Sequence, residues 1–279
     1  ITYTGTGYGT GQAIIDGGEP ATDLKPCSSA AECGGSTAWY KMSILTFEHH
    51  ATEFLKLYDD NGFLYETQWP KPVDRFYSDE IDQFAVSPVS EKASIEAGRL
   101  KSPEIVKMLA GKVQGSLLIW VYPNLVVRRD ITGFDGDYVL FTPNGLILYG
   151  DRPGRFALIG APRAISGPGQ YALIAEHQAI VWPNTNGGVI ERGNGHHGFH
   201  VDGQSNITIS GFIFRNQTAA SNGRNEGAPI SMLGKGASNI IIEGNRFEYS
   251  SLWDGKGVIT LSNLSNVSIN NNSIKFIEK

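Results

Sequence analysis

Three stretches decide the fold: SNITISGFIFRN (205–216), SNIIIEGNRFEY (238–249) and SNVSINNNSIKF (265–276). Each reads Ser-Asn, then alternating aliphatic and polar residues, then Gly or Asn, then a second short alternating segment. Asn206, Asn239 and Asn266 are spaced 33 and 27 residues apart. Self-similarity at such a period marks a repeat architecture. The units hold short period-2 strands between Gly/Asn turns and no helical pattern, which excludes leucine-rich and helical arrays. What remains is a parallel β-helix, in which each coil stacks on the one before and equivalent positions form ladders. The asparagines suit the corners, since Asn tolerates the left-handed backbone and can bond its equivalent one coil away. The same reasoning makes the Asn-x-Ser/Thr patterns at Asn206, Asn216 and Asn263 turn positions rather than glycosylation acceptors.

Outward from these repeats, GTGQAIIDGG (9–18) resembles one further coil, with Ile14 and Ile15 before the Asp16-Gly17-Gly18 turn. Residues 37–190 differ in character. FEHHATEFLKLYD (47–59) and PEIVKMLAG (103–111) have helix-like apolar spacing, and Ser102-Pro103-Glu104 is a good helix start. LLIWVYPNLVVRRDITGF, DYVLFTPNGLILYG, RFALIGAPRAI, YALIAEHQAIVWP and GGVIERG read as strands. Arg128-Arg129-Asp130 is expected to close a turn or meet the β-helix, and Trp182-Pro183 to anchor packing. The expected organisation is a first coil and cysteine loop over 1–36, an inserted or flanking α+β region over 37–190, and β-helix coils over 191–279. Both ends look like the interior of a longer β-rich chain, so the chain is expected to be incomplete at its C-terminal end.

The 279 residues suffice for a sizeable core, and the 34 glycines exceed an average usage of about 7%. No Gly-X-Y period accompanies them, so much of the backbone belongs in turns. A net charge of −5 gives no electrostatic reason to expect nucleic acid, and no apolar run is long enough to span a membrane. Cys27 and Cys33 lack nearby ligands for a tetrahedral zinc site and read as a small disulfide-closed loop. That places the chain in an oxidising compartment, secreted or periplasmic.

WVYPNLVVRRDITGF, RFALIGAPRAISGPGQYAL, AIVWPNTNG and HGFHVDGQSNITISGFIFRNQ are similar to the bacterial right-handed parallel β-helix superfamily of secreted glycoside hydrolases and polysaccharide lyases. The resemblance covers about residues 1–20 and 115–279. It implies a mainly β fold, a right-handed parallel β-helix with a small α+β region inserted or flanking. It does not select an activity, because the superfamily also holds epimerases, tailspikes and adhesins. No residue matches one enzyme family's catalytic motif, so none is carried over.

The candidate chemistry comes from aligning the coils on Gly198, Gly227 and Gly257. The residues just before them, His197, Glu226 and Lys256, then stack about 4.8 Å apart along the axis. Arg224 and Asp254 lie two residues further back in their own loops. One strand face offers His200 and Asp202, then Ser231, then Thr260. Glu226, Asp202, His200 and Asp254 are the candidate catalytic groups. His197, Arg224, Lys256 and Trp253 are the candidate substrate contacts, Trp253 by stacking on a sugar ring. HHGFH (196–200) is not read as a metal site, because His197 and His200 would face opposite sides of an extended strand. His49-His50 falls at an apparent helix start.

Such a set suits a polysaccharide or oligosaccharide. Paired acids flanking a glycosidic oxygen give hydrolysis, whereas a base beside a uronate whose carboxyl a cation neutralises gives β-elimination. Hydrolysis is preferred because acidic side chains accompany every candidate cation. Neither reaction requires a cofactor, and the sequence leaves Ca²⁺ participation open. The alternative is a non-catalytic β-helix: an adhesin, a tailspike-like fibre or a carbohydrate-binding scaffold.

Overall fold

The computed structural model describes residues 1–6, 11–21, 24–46, 56–60, 62–72, 84–122, 125–175, 178–184, 189–193, 196–218, 228–251 and 257–278. The fold is mainly β with curled sheets, and among the described residues two short α-helices fall at Lys92–Glu96 and Pro103–Leu109. The chain divides into two compact units. The first comprises Ile1–Ala21, Ala51–Leu64 and Thr185–Lys279; the second comprises Thr22–His50 and Tyr65–Asn184. The cysteine loop thus belongs with the second unit, and the strand Leu57–Asp59 with the first.

In the first unit the three repeats pair in parallel and in register. Ile207 lies opposite Ile240, and Ile240 opposite Val267; Phe214 lies opposite Phe247, and Phe247 opposite Ile274. These are the offsets that the asparagines announce. The N-terminal strands continue both ladders across some two hundred residues of sequence, Thr2–Thr4 beside Ile207–Ser210 and Ile14–Asp16 beside Ile213–Arg215. Alternation decides which isoleucines go inside: Ile240 and Ile242 are fully buried, while Ile241 between them is 38% exposed. Ile207, Ile209, Ile240, Ile242, Phe214 and Phe247 form the core, with the two phenylalanine rings stacked at 5.0 Å. Each such side chain, fully buried, contributes roughly 1.5–3 kcal/mol.

The corners form as their residue types demand. Asn206, Asn239 and Asn266 take φ of 60°, 61° and 50°. Their side chains run up the stack, Asn239 Nδ2 donating to Asn206 Oδ1 at 2.9 Å and Asn266 Nδ2 to Asn239 Oδ1 at 2.5 Å. A second ladder has Asn245 Nδ2 donating to the Ile209 carbonyl and Asn272 Nδ2 to that of Ile242. At Gly234 the next repeat passes so close that a Cβ would sit 2.1 Å from the Asn263 carbonyl oxygen, so only glycine fits.

The second unit is mostly antiparallel, with Gln170 and Tyr171 pairing in parallel with Tyr65 and Glu66. Ser116–Tyr122 pairs with Leu125–Asp135 on one side and Gly154–Ile159 on the other. Its core gathers Leu100, Ile105, Leu109, Leu117, Ile119 and Leu158. The helix Pro103–Leu109 begins as expected, the Ser102 hydroxyl accepting from Ile105 N. Another sheet joins Leu24–Pro26, Ser43–Thr46, Gln178–Trp182 and Gln170–Ala175.

Three expectations are corrected. Residues 57–59 form a strand, because Tyr58 is held by antiparallel pairing with Phe63 and Glu191. Arg128–Asp130 lie inside a strand rather than at a turn, where Arg128 forks onto both oxygens of Glu66 at 2.8 and 3.0 Å. Residues 145–149 form no strand, although Leu146 and Leu148 are buried.

Candidate functional site

Cys27 and Cys33 are joined as a disulfide. Of the other candidate residues, Glu226, Arg224, Trp253, Asp254 and Lys256 lie outside the described residues, as do His49 and His50. His200 and Asp202 project from the strand Phe199–Asp202, whose alternation leaves both exposed. His200 lies opposite Ser231, and Ser231 opposite Thr260. Asp202 accepts from Lys235 Nζ at 2.7 Å, an ion pair with 43% and 72% of its side chains exposed. His197 and His200 do not point apart. Their rings stack at 5.1 Å, because His197 precedes the strand and escapes its alternation. The glycine alignment is also corrected: Phe199 pairs with Ile230, and the His197 ring meets the Ala228 carbonyl at 3.2 Å. Among the described residues no group of three or more His, Cys, Asp or Glu side chains could hold a metal ion.

A different set of groups converges in the first unit. Asp16 ends the strand Ile14–Asp16, and parallel pairing puts it opposite Arg215, Arg215 opposite Glu248, and Glu248 opposite Lys275. Charge therefore alternates from repeat to repeat. Arg215 Nε donates to Asp16 Oδ2 at 2.5 Å, and Arg246 pairs with Glu248 at 2.7 Å. Asp16 Oδ1 also accepts from the Gly18 amide at 2.9 Å, the turn expected of Asp before two glycines.

Glu191 reaches the same place from the strand Glu191–Gly193, which pairs antiparallel with Gly18–Pro20. The link is Asn216, buried and left-handed at φ 59°. Its single amide nitrogen donates to Asp16 Oδ1 at 3.1 Å and to Glu191 Oε2 at 2.9 Å. The nearest oxygens of the two carboxyls are thus no farther apart than these two hydrogen bonds laid end to end. Gly18 leaves room for them, since a Cβ there would lie 2.7 Å from Glu191 Oε2 and 3.1 Å from Asp16 Oδ1.

The two carboxyls sit in unlike fields. Burial pushes the Glu191 carboxyl above the usual carboxylate range, and the nearby negative charge of Asp16 adds to this against the pull of Arg215 and Asn216. Burial works against the charged Arg215 guanidinium, but the hydrogen bond to Asp16 together with the negative charges of Asp16, Glu191 and Glu248 raises its proton affinity above the usual value. Asp16 is thus hydrogen-bonded by the cation itself, whereas Arg215 acts on Glu191 through its charge and Asn216 is the neutral donor to that carboxyl. Beside them Tyr58 Oη and Thr218 Oγ1 share a buried 2.6 Å hydrogen bond.

Comparison with known proteins adds little. No protein-family model and no curated protein matches the chain. The chain is similar to a solved structure named "Glycoside hydrolase", at 12% identity and a TM-score of 0.47. The similarity covers 85% of this chain and 47% of that one, so the chain spans about half of its length.

Sequence reading missed this pair for a topological reason. Aligning AIIDGG with FIFRNQ, both read as coils, sets Asp16 on Arg215, and that signal was within reach. Glu191 arrives by antiparallel pairing from outside the repeat, and no periodicity predicts it.

Proposed function

We propose that the protein is a carbohydrate-active enzyme that hydrolyses glycosidic bonds in a polysaccharide or oligosaccharide, with Glu191 as general acid and Asp16 as its partner carboxyl. The observation that carries this reading is the Asp16–Asn216–Glu191 arrangement, in which two carboxyls share one donor while burial raises the proton affinity of Glu191. Pairs tuned in this way divide acid and base roles. Glu191, whose hold on its proton burial strengthens, gives that proton to the glycosidic oxygen as the bond to the anomeric carbon breaks. Asp16, ion-paired with Arg215, then supports the positive charge developing at that carbon. The carboxyl oxygens stand closer than the roughly 6.5–9.5 Å that leaves room for a water in inverting enzymes, which favours attack by Asp16 itself and retention.

The in-register ladders are read as coils of a right-handed parallel β-helix, a rigid support for such a site. The Cys27–Cys33 disulfide and the lack, among the described residues, of a helix long and apolar enough to cross a membrane are compatible with a secreted or periplasmic location.

The test is a screen of polysaccharides for new reducing ends, with absorbance at 235 nm followed in parallel. Reducing ends without 235 nm absorbance, abolished in Glu191→Gln, support hydrolysis. Absorbance at 235 nm replaces it with β-elimination, and a flat screen leaves a non-catalytic scaffold.

A further inference from the structure

The second unit carries a cleft of about 500 Å³ bordered by Val86, Trp120, Tyr122, Tyr149, Arg152 and Arg155. Trp120 and Arg155 are cross-strand neighbours, which places the guanidinium 5.7 Å over the indole. Arg152 lies 5.8 Å over the Tyr149 ring, and the Tyr122 and Tyr149 rings are 5.4 Å apart. Tyr149 and Tyr122 are 53% and 40% exposed. Neither arginine forms an ion pair or a side-chain hydrogen bond among the described residues, whereas Arg99 and Arg128 of the same unit are both matched to carboxylates.

Aromatic faces held out to solvent suit the C–H faces of a pyranose ring. Guanidinium groups placed over aromatic rings can keep N–H donors for a planar anion, which they grip with two hydrogen bonds. On a chain of net charge −5, an anionic ligand needs such a local concentration of positive charge, here without a carboxylate partner among the described residues. We infer that this cleft is a binding site for an acidic oligosaccharide, its aromatic rings stacking on the sugar and Arg152 and Arg155 holding a uronate carboxylate. The inference rests on the polysaccharide reading above for the ligand class and not on catalysis at Asp16 and Glu191.

The test is calorimetric titration of the full chain with oligogalacturonate and oligomannuronate hexamers against cellohexaose, in 50 mM and 500 mM NaCl. The expected result is at least tenfold tighter binding of one uronate hexamer than of the neutral one, weakened by salt and reduced tenfold or more in Arg152→Gln/Arg155→Gln. Arg152→Gln alone, at an exposed position, should give part of that loss without disturbing the fold, and Tyr149→Ala should weaken binding with both arginines intact. Equal affinity for neutral and acidic hexamers, no binding of either uronate, or unchanged binding in a folded double variant overturns the inference. Cleavage without arginine-dependent uronate binding overturns it and leaves the hydrolase reading. Arginine-dependent binding without cleavage does the reverse.

Discussion

The first unit displays two polar clusters that differ in almost every physical respect. His200 and Asp202 stand on an exposed strand face, and Asp202 is matched by Lys235 in an ion pair open to water. Asp16 and Glu191 sit half-buried around one buried amide, with a guanidinium on one side only. The exposed pair is the conspicuous one in sequence, since half of the chain's six histidines crowd into residues 196–200. Solvent screens it, however, and an exposed pair of this kind is worth about 0–1 kcal/mol. At the hidden pair burial and the neighbouring Asp16 charge act together to push the Glu191 carboxyl above its ordinary range. Reactivity follows from the environment of a residue more than from its type.

The sharpest way to break this contrast is to neutralise each cluster in turn. Glu191→Gln and Asp16→Asn should each lower turnover of the best polysaccharide substrate by about 10²–10⁴-fold, the range expected of a general acid or its partner. His200→Asn and Asp202→Asn should leave it within about threefold. The reverse pattern in reducing-end assays would move the active site to the exposed face.

Next in size is the amide that joins the carboxyls. Asn216→Gly keeps the left-handed backbone and removes the donor to both acids, so urea unfolding should show a loss of about 1–3 kcal/mol. Asn266→Gly, at an exposed corner of the ladder, should cost under about 1 kcal/mol. Equal losses would mean that Asn216 serves only as a corner.

A smaller effect concerns pH. Because the folded Glu191 carboxyl titrates above its unfolded value, its contribution to stability is full below the ordinary carboxylate range. That contribution fades as pH rises through the raised folded value. Glu191→Gln removes the fading term. Its melting temperature should exceed that of the wild type at pH 7, by roughly 2–4 °C for each kcal/mol relieved, and the two should converge near pH 4. By the same sign, activity should fall on the alkaline side as Glu191 loses its proton. Smallest of all, Lys235→Ala should shift stability by less than about 1 kcal/mol and leave turnover unchanged, with any shift vanishing at high salt.

These contrasts trace what can be read along the chain. The Asn206–Asn239–Asn266 spacing specifies the register, because a strand with one buried face cannot slip by a residue without exposing its isoleucines. The Ser102 cap and the Cys27–Cys33 loop are local for the same reason: their partners lie within a few residues. The strand at 57–59, with its helix-like spacing, owes its state to Phe63 and Glu191, and tertiary pairing overrode the local pattern.

By itself, then, the sequence determined the mainly β fold, the repeat and its register, and the ladder that sets Asp16, Arg215, Glu248 and Lys275 in line, since each follows from periodicity or short-range turns. Only the tertiary structure decided that Glu191 completes the pair, that His197 stacks on His200, and that Trp120, Tyr149, Arg152 and Arg155 share one cleft. Each of these depends on strands that meet across long sequence separations or on residues beyond a strand's end, where alternation no longer dictates direction. The proton affinity of Glu191 belongs with them, because burial and the Asp16 charge exist only once the chain has folded.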